Sequence, residues 1–479
     1  MMKINNLEDA SAFSKELFFE RVFEEGLAQA SYVVGDREVG QAIVIDPKRD
    51  IDVYLHIARS QNVKITHVAE THIHADFLSG SRELAAATGA ELLLSAEGGE
   101  EWQYSFPHKP VRDGDKIEIG RFILEVMHTP GHTPESITWL VVDPEVSDEP
   151  LKAITGDFIF VGDVGRPDLL EKAVGKKGSQ EIGAKQLYAS IQRFTQLPDD
   201  LEIWPGHGAG SFCGKSLSSI PQSTLKQEKM TSWAFQFAGD EEGFVRYVLE
   251  DQPQVPRYFA RMKYLNRAER PLLIEVPQRV KIDKEKLLQG QERGLLVVDT
   301  RKKEKVAKGF VPHSLHIEGG GAFSTWMGSL VGYDEQLILI AEEEEIEALT
   351  RKLMRIGMDN VYGFVTVPEQ MEIPLLQSEL VELSDVKQLI ERPDMQIVDV
   401  RTAREYSQGH IKGAENIPLT DLEGNADKVD KNKPVIVHCQ SGTRAAMAYS
   451  ILRKNGFENV KNYSAGMKEW TKEGNETVQ

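Results

Sequence analysis

Two cysteines stand in the whole chain, and both sit in glycine-containing loops rather than in apolar runs. Cys439 opens the loop Cys439-Gln440-Ser441-Gly442-Thr443-Arg444, between an apolar stretch at 435–437 and a helical pattern at 445–454. A thiol between a strand end and a helix N-terminus meets converging backbone N–H groups and the positive helix end, which lowers its pKa. Ser441 and Gly442 let the loop curl, and Arg444 adds positive charge opposite the sulfur. Such a cradle suits an oxyanion or a cysteine persulfide. A second set of reactive types lies far upstream. In Thr71-His72-Ile73-His74-Ala75-Asp76-Phe77 the two histidines are two apart, so an extended backbone points both to one side. His132 follows Pro130-Gly131, Asp157 follows Thr155-Gly156, and His207 follows Pro205-Gly206. One histidine so placed is usually a packed core residue. Several His and Asp groups at successive strand ends point to a metal.

The elements that must present these groups follow from apolar patterning. Residues 31–34 and 41–45 read as a hairpin around Gly35-Asp36, 51–59 as a helix, 64–70 as a strand, and 78–88 as an Ala-rich helix closed by Gly89. Strands at 117–119 and 122–127 deliver His132, those at 137–142 and 153–155 deliver Asp157, and 201–204 delivers His207. A helix is expected at 181–194, and a mostly helical connector at 233–265. Polar groups at strand ends are the usual site of a layered α/β architecture.

Beyond the connector the chain repeats itself. Asp299-Thr300-Arg301 parallels Asp399-Val400-Arg401, the apolar run 337–340 parallels 435–438, and Gly357 with Val361 parallels Gly456 with Val460. Several landmarks in one order argue for a duplicated domain. The first copy reads Ile340-Ala341-Glu342-Glu343-Glu344-Glu345 where the second places its nucleophile. Alanine cannot carry sulfur, and four carboxylates would repel an anion.

The last hundred residues resemble a rhodanese, through Asp399 to Arg401, Glu405, Gly409-His410-Ile411-Lys412-Gly413-Ala414, Asn416-Ile417-Pro418, the Cys439 loop and Gly466-Met467-Lys468-Glu469-Trp470. The resemblance implies that Cys439 accepts and passes on sulfane sulfur. Four residues between Cys439 and Arg444 fit the sulfur-transfer class rather than related CxxxxxR phosphatases. Residues 15–230 resemble the metallo-β-lactamase superfamily, whose first motif is HxHxDH; here the last position is Phe77. Phenylalanine offers no lone pair, so a complete second metal site is doubtful, and imidazoles with one carboxylate suit non-haem Fe(II). The branch most resembled is the persulfide dioxygenases, through Gly156-Asp157 and Gly165-Arg166-Pro167-Asp168. The implied fold is α/β: an αββα sandwich with its connector at 1–265, an inactive rhodanese-like domain at 266–374, and a catalytic one at 375–479. One Fe(II) per chain would be held by His72, His132 and Asp157, with His74 and Asp76 orienting ligands or water. Arg166 either holds a thiol's carboxylate or makes an ion pair; Cys213 receives sulfur, forms a regulatory disulfide, lines the pocket or does no chemistry.

The resemblance thus implies oxidation of a low-molecular-weight thiol persulfide by O2 to sulfite, followed by sulfur transfer through Cys439 that forms or uses thiosulfate. Two alternatives remain: a zinc thioester hydrolase of the glyoxalase II type, and a sulfur-carrying scaffold. A formal charge of -19 argues against nucleic acid as partner. No signal peptide or membrane-length apolar run is seen, and two cysteines in 479 residues fit a reducing compartment. A cytoplasmic homo-oligomer is the expectation.

Overall fold

In the first half of the chain successive strand residues are buried on both faces, and the alternation of side chains separates two cores. Phe19, Tyr32, Val34, Ile43 and Ile45 enter one; Phe18, Val33, Ala42 and Val44, their immediate neighbours, enter the other. That period of two is the geometry of a sheet covered on both sides. The computed structural model describes residues 16–169, 178–366 and 368–479. The first sheet takes β1 (Leu17–Glu24), β2 (Gln29–Asp36), β3 (Gln41–Ile45), β4 (Lys64–Ala69), β5 (Glu91–Ser95) and β6 (Lys109–Val111) in that order. The second runs from β7 (Lys116–Ile119) through β8 (Phe122–His128), β9 (Ile137–Val142), β10 (Lys152–Gly156) and β11 (Glu202–Pro205) to β12 (Ser223–Thr224).

Between the sheets lie the first core's residues together with Phe122, Leu124, Trp139, Ile154 and Trp204 of the second sheet. Burial of each large side chain there contributes about 1.5–3 kcal/mol. Helices α1 (Asp52–Ser60) and α2 (Ser81–Thr88) cover the outer face of the first sheet with Val53, Tyr54, Ile57 and Leu84. Helices α3 (Ser179–Phe194) and α4 (Glu241–Leu249) cover the second with Leu187, Ile191, Phe194, Phe244 and Val248. The layering is therefore αββα. A further helix, α5 (Phe259–Arg267), follows in the connector.

Four strands of this first unit, β1, β5, β6 and β12, go beyond the sequence expectation. β1 and β5 are short apolar runs beside a turn and a helix end, where period alone does not separate strand from helix. The first fifteen residues of the expected N-terminal domain lie outside the described residues.

Contacts divide the chain into two units, Met1–Val276 with Arg351–Gly357, and Pro277–Thr350 with Met358–Gln479. The second unit holds two parallel four-stranded sheets. One contains β13 (Leu296–Asp299), β14 (Leu315–His316), β15 (Leu337–Ile340) and β16 (Val361–Val365), in the order β14-β13-β15-β16. The other contains β17 (Gln396–Asp399), β18 (Ala414–Asn416), β19 (Val435–His438) and β20 (Val460–Tyr463), in the order β18-β17-β19-β20. Parallel strands covered on both faces read as unbroken apolar runs, which is why these were visible in the sequence. Helix α6 (Thr443–Lys454) follows β19. No helix among the described residues is long and apolar enough to cross a membrane.

Candidate functional site

In the first unit, three imidazoles converge on Asp157, one residue past the end of β10. Its Oδ2 lies 3.8 Å from His72 Nε2 and 3.5 Å from His132 Nε2, and its Oδ1 lies 3.5 Å from His207 Nε2. All four residues are buried. The chain reaches this point through Gly156, whose φ is +51° and where a Cβ would stand 2.3 Å from the Thr71 hydroxyl. Only glycine allows β10 to turn that close to the His72 loop.

The second ring nitrogen fixes each imidazole. His132 Nδ1 donates to the Arg166 carbonyl at 3.0 Å, and His207 Nδ1 to the Ala28 carbonyl at 3.1 Å. The Thr71 hydroxyl donates to Asp46 Oδ2 at 2.8 Å, so it must accept from His72 Nδ1 at 3.0 Å. In all three the Nε2 lone pair therefore faces the carboxylate. His72 Nε2, His207 Nε2 and both oxygens of Asp157 and of Asp76 have no hydrogen-bond partner although they are buried. Lone pairs facing lone pairs in a dry site are costly unless a cation joins them, so the residues fit a metal ion. Burial, then the neighbouring imidazoles, hold His72 well below its ordinary pKa, and burial and Lys263 do the same to His132. Both are neutral, as ligands must be.

His132, Asp157 and His72 form one candidate metal group; Asp76, His207 and Cys213 form a second, its ligand atoms all within 4.8 Å of one another. Asp76 Oδ2 is 3.3 Å from His207 Nε2. Phe77 is fully buried, its ring 4.4 Å from that of His74. His74 turns the other way. Its Nε2 lies 3.1 Å from Asp46 Oδ1 and 3.1 Å from Glu70 Oε2. Burial alone would lower its pKa, but these two carboxylates outweigh it and raise it well above the usual value. Burial, with Asp157 and Asp76, pushes the Cys213 thiol well above its ordinary range, so it stays protonated. Each guanidinium nitrogen of Arg166 donates to a protein acceptor: Asp168 at 2.7 Å through Nε and Nη2, the Phe212 carbonyl at 3.2 Å through Nη1 and the Pro253 carbonyl at 2.7 Å through Nη2.

The second unit holds the other cysteine. Cys439, free and 1% exposed, follows β19 and accepts the Gly442 N–H at 3.1 Å. Gly442 has φ +94°, and a Cβ there would lie 2.1 Å from the Ser464 carbonyl, so the curl of the cradle requires glycine. Arg444 is clamped by Glu405 through two bonds of 2.7 Å. Burial would raise the Glu405 pKa, but Arg444 and the Thr402 N–H bring it down to about 2. Lys303, from the other sheet of the unit, donates to the Ser441 carbonyl at 3.0 Å and so brings a second cation to the loop.

Sequence reasoning passed over Asp46, Glu70, Lys263 and Lys303. Asp46 and Glu70 each close an apolar strand, the signal that exposed Asp157, but neither stands in a His-rich motif. Lys263 and Lys303 lie in or beside helices, where a lysine carries no signal.

Residues 25–207 match the model of the metallo-beta-lactamase superfamily, and residues 382–473 that of the rhodanese-like domain. The chain is 40% identical to a crystal structure of a metallo-β-lactamase from Staphylococcus aureus, covering 73% of this chain and 99% of that one, with a TM-score of 0.68. It is 28% identical over 222 residues to the human mitochondrial persulfide dioxygenase ETHE1, which is 45% of this chain and 76% of that protein. It is also 28% identical over 179 residues to the putative sulfur carrier protein YrkF of Bacillus subtilis, 36% of this chain and 88% of that one. With this sandwich, and with histidines and an aspartate gathered at its strand ends, the chain belongs to the metallo-β-lactamase superfamily, carries a C-terminal rhodanese-like domain and is related to the ETHE1-like persulfide dioxygenases.

Proposed function

We propose that the chain is a persulfide dioxygenase joined to a thiosulfate sulfurtransferase. The observation that carries the reading is the cluster of His72, His132 and Asp157, whose buried lone pairs face one another without hydrogens between them. Two imidazoles and one carboxylate suit Fe(II), which would bring redox chemistry with O2 that side chains lack. The protein's own part is orientation. The Thr71 hydroxyl and the Arg166 carbonyl hold the two rings, and the Arg166–Asp168 pair fixes the loop that carries that carbonyl. Asp76 and His207 complete the polar wall, while His74, pinned by Asp46 and Glu70, positions the His72 loop. Cys213, kept as a thiol, lines the pocket. The balanced reaction is RSSH + O2 + H2O giving RSH, sulfite and two protons.

In the second step Cys439 takes sulfane sulfur from another persulfide and releases its thiol; sulfite then attacks the cysteine persulfide, giving thiosulfate and the free cysteine. Gly442 N–H steadies the sulfur, and Arg444 with Lys303 supplies positive charge for the anions. In this reading residues 1–265 form the dioxygenase domain, 266–374 an inactive rhodanese copy, and 375–479 the transferase. Substrates are small thiol persulfides, with neither nucleic acid nor membrane as partner, in a homo-oligomer of the cytoplasm. Asp157→Ala should lose most bound iron and all persulfide-dependent O2 uptake, while thiosulfate sulfur transfer persists. Full iron occupancy in that variant would refute the ligand assignment. One observation favours a second reading, a zinc-dependent thioester hydrolase: Asp76, His207 and Cys213 could complete a second metal position. Two zinc ions per chain with thioesterase activity would select it.

A further inference from the structure

A seven-residue piece of the copy without a nucleophile folds with the metal-binding unit. Residues 351–357, the last turn of the helix Ile346–Met354 and the residues after it, group with the first unit, while their neighbours on both sides belong to the second. Their docking is built from buried charge. Arg355, 5% exposed, donates through Nε to Asp50 Oδ1 at 2.8 Å and through Nη2 to Asp50 Oδ2 at 2.6 Å, and its Nη1 pairs with Glu24 at 2.5 Å. Arg351 donates to Asp52 through two bonds of 2.8 Å. In the other direction Arg49 donates to the Met354 carbonyl at 3.1 Å. Burial would raise the Asp50 pKa, but Arg355 above all, with Lys48 and Arg351, holds it at about 2. Such a buried pair is costly to break, because removing one partner strands the other.

The sister copy shows that none of this is needed to end such a helix. With Gly357 aligned to Gly456, Arg355 falls on Lys454, which is half-buried and pairs with Glu423 of its own copy at 3.0 Å. A Cβ at Gly456 would meet nothing within 4 Å, whereas at Gly357 it would lie 3.1 Å from Leu78 and 3.3 Å from Leu265. What the diverged turn grips is the loop that carries the metal ligands. The Arg355 carbonyl accepts the Leu78 N–H at 2.7 Å, and Leu78 is two residues past Asp76. The connector holds the residues on either side. Asn266 donates to the His74 and Phe77 carbonyls at 2.9 and 2.7 Å and accepts the Ser79 N–H at 2.9 Å. Outer bonds of this kind fix where a ligand-bearing loop places its side chains. We infer that the end of this helix is a buttress of the metal-centre loop, and that Arg355 is a positioning residue which acts on that loop through Leu78. The copy that lost its nucleophile thus serves the other site, by holding the loop in which His72 stands. The inference rests on a metal at the His72 group, iron or zinc alike, and not on the reaction carried out there.

In the metal-free full chain, hydrogen exchange in peptides covering 71–79 should quicken at least about tenfold in Arg355→Met. Protein loaded with Co(II) should release it to EDTA about tenfold faster, with a shifted visible spectrum, and Arg355→Lys should recover part of both. Asp50→Asn, which keeps the shape and removes the charge, should move them the same way and serves if Arg355→Met does not fold. Leu349→Ala separates a buttress from general loosening. Leu349 lies in the same helix but is buried beside Gly319 of its own copy. That variant should be less stable in urea while exchange over 71–79 and Co(II) release keep their wild-type values. If the wild type holds no Co(II) yet Arg355→Met still frees the loop, the metal assignment fails and the buttress stands. Unchanged exchange and release in both Arg355→Met and Asp50→Asn, or an equal change in Leu349→Ala, overturns the inference.

Discussion

The two four-stranded sheets of the second unit share a backbone plan and differ in what they do with charge. Asp299 and Arg301 pair at 2.7 Å, with Arg301 donating on to the Gly309 carbonyl at 2.9 Å. Asp399 and Arg401 pair at 2.7 Å, with Arg401 donating to the Gly409 carbonyl at 2.8 Å. In register, Asp299 lies opposite Ile340 and Asp399 opposite His438, so Ala341 occupies the place of Cys439. Beyond that lock the polarity reverses. Glu405 reaches from the short helix after β17 to Arg444 beside the loop. At the matching position Lys305 reaches to Glu342 at 2.5 Å. The frame of a sulfur cradle thus survives an exchange of anion for cation, because the strand lock and not the loop holds the fold.

The strongest way to sharpen this contrast is at the sulfur itself. Cys439→Ser should reduce thiosulfate sulfur transfer to the uncatalysed rate, because a hydroxyl cannot store sulfane sulfur. Iron content and O2 uptake should stay near wild type, and product analysis should find sulfite; thiosulfate formed at the wild-type rate, above the spontaneous reaction, would place the transfer elsewhere. The shared lock comes next. Asp399→Ala leaves the buried Arg401 guanidinium without its carboxylate and should destabilise the second unit by roughly 3–5 kcal/mol in urea unfolding, whereas Asp299→Ala should cost less because Arg301 keeps its pair with Glu369. A large effect at one position and none at the other would break the equivalence.

A smaller effect concerns acid. Glu405 titrates at about 2 when folded and near 4.5 as an ordinary glutamate. A depressed carboxylate stabilises above its unfolded value and loses that contribution as pH falls toward its folded one. The clamp's contribution to stability should therefore be full at pH 5 and above and shrink progressively between pH 4.5 and about 2; in Glu405→Gln this acid-dependent loss should vanish from the pH dependence of urea unfolding. Least of all should follow from Ala341→Cys. Added to Cys439→Ser, it should restore no measurable transfer, because the run Glu342 to Glu345 stands where the active cradle has Gln440 to Thr443. Recovered activity would show that the carboxylates do not matter.

What was legible in the sequence was whatever a strand end or a buried parallel strand imposes locally. The polar groups after β4, β10 and β11, and the apolar runs of β13, β15, β17 and β19, are constrained by their immediate neighbours. Asp46 and Glu70 escaped because their importance lies in both reaching one imidazole from different strands. The exchange of Glu405–Arg444 for Lys305–Glu342 became visible only once strand register aligned the copies. Lys263 was silent because its influence on His132 crosses space and not the chain.

The bond from Lys303 to the Ser441 carbonyl has a consequence for heredity. A duplicated copy that loses its nucleophile is ordinarily free to decay or be deleted. Here the copy bearing Ala341 sends a cation into its sister's reactive loop, its His316 N–H donates to the Ser450 hydroxyl at 2.9 Å, and its Phe310 ring lies edge-on to Tyr449 at 6.1 Å. A recombination breakpoint between the copies would remove all three contacts at once. Deleting either sheet would therefore strip these contacts from the one that remained.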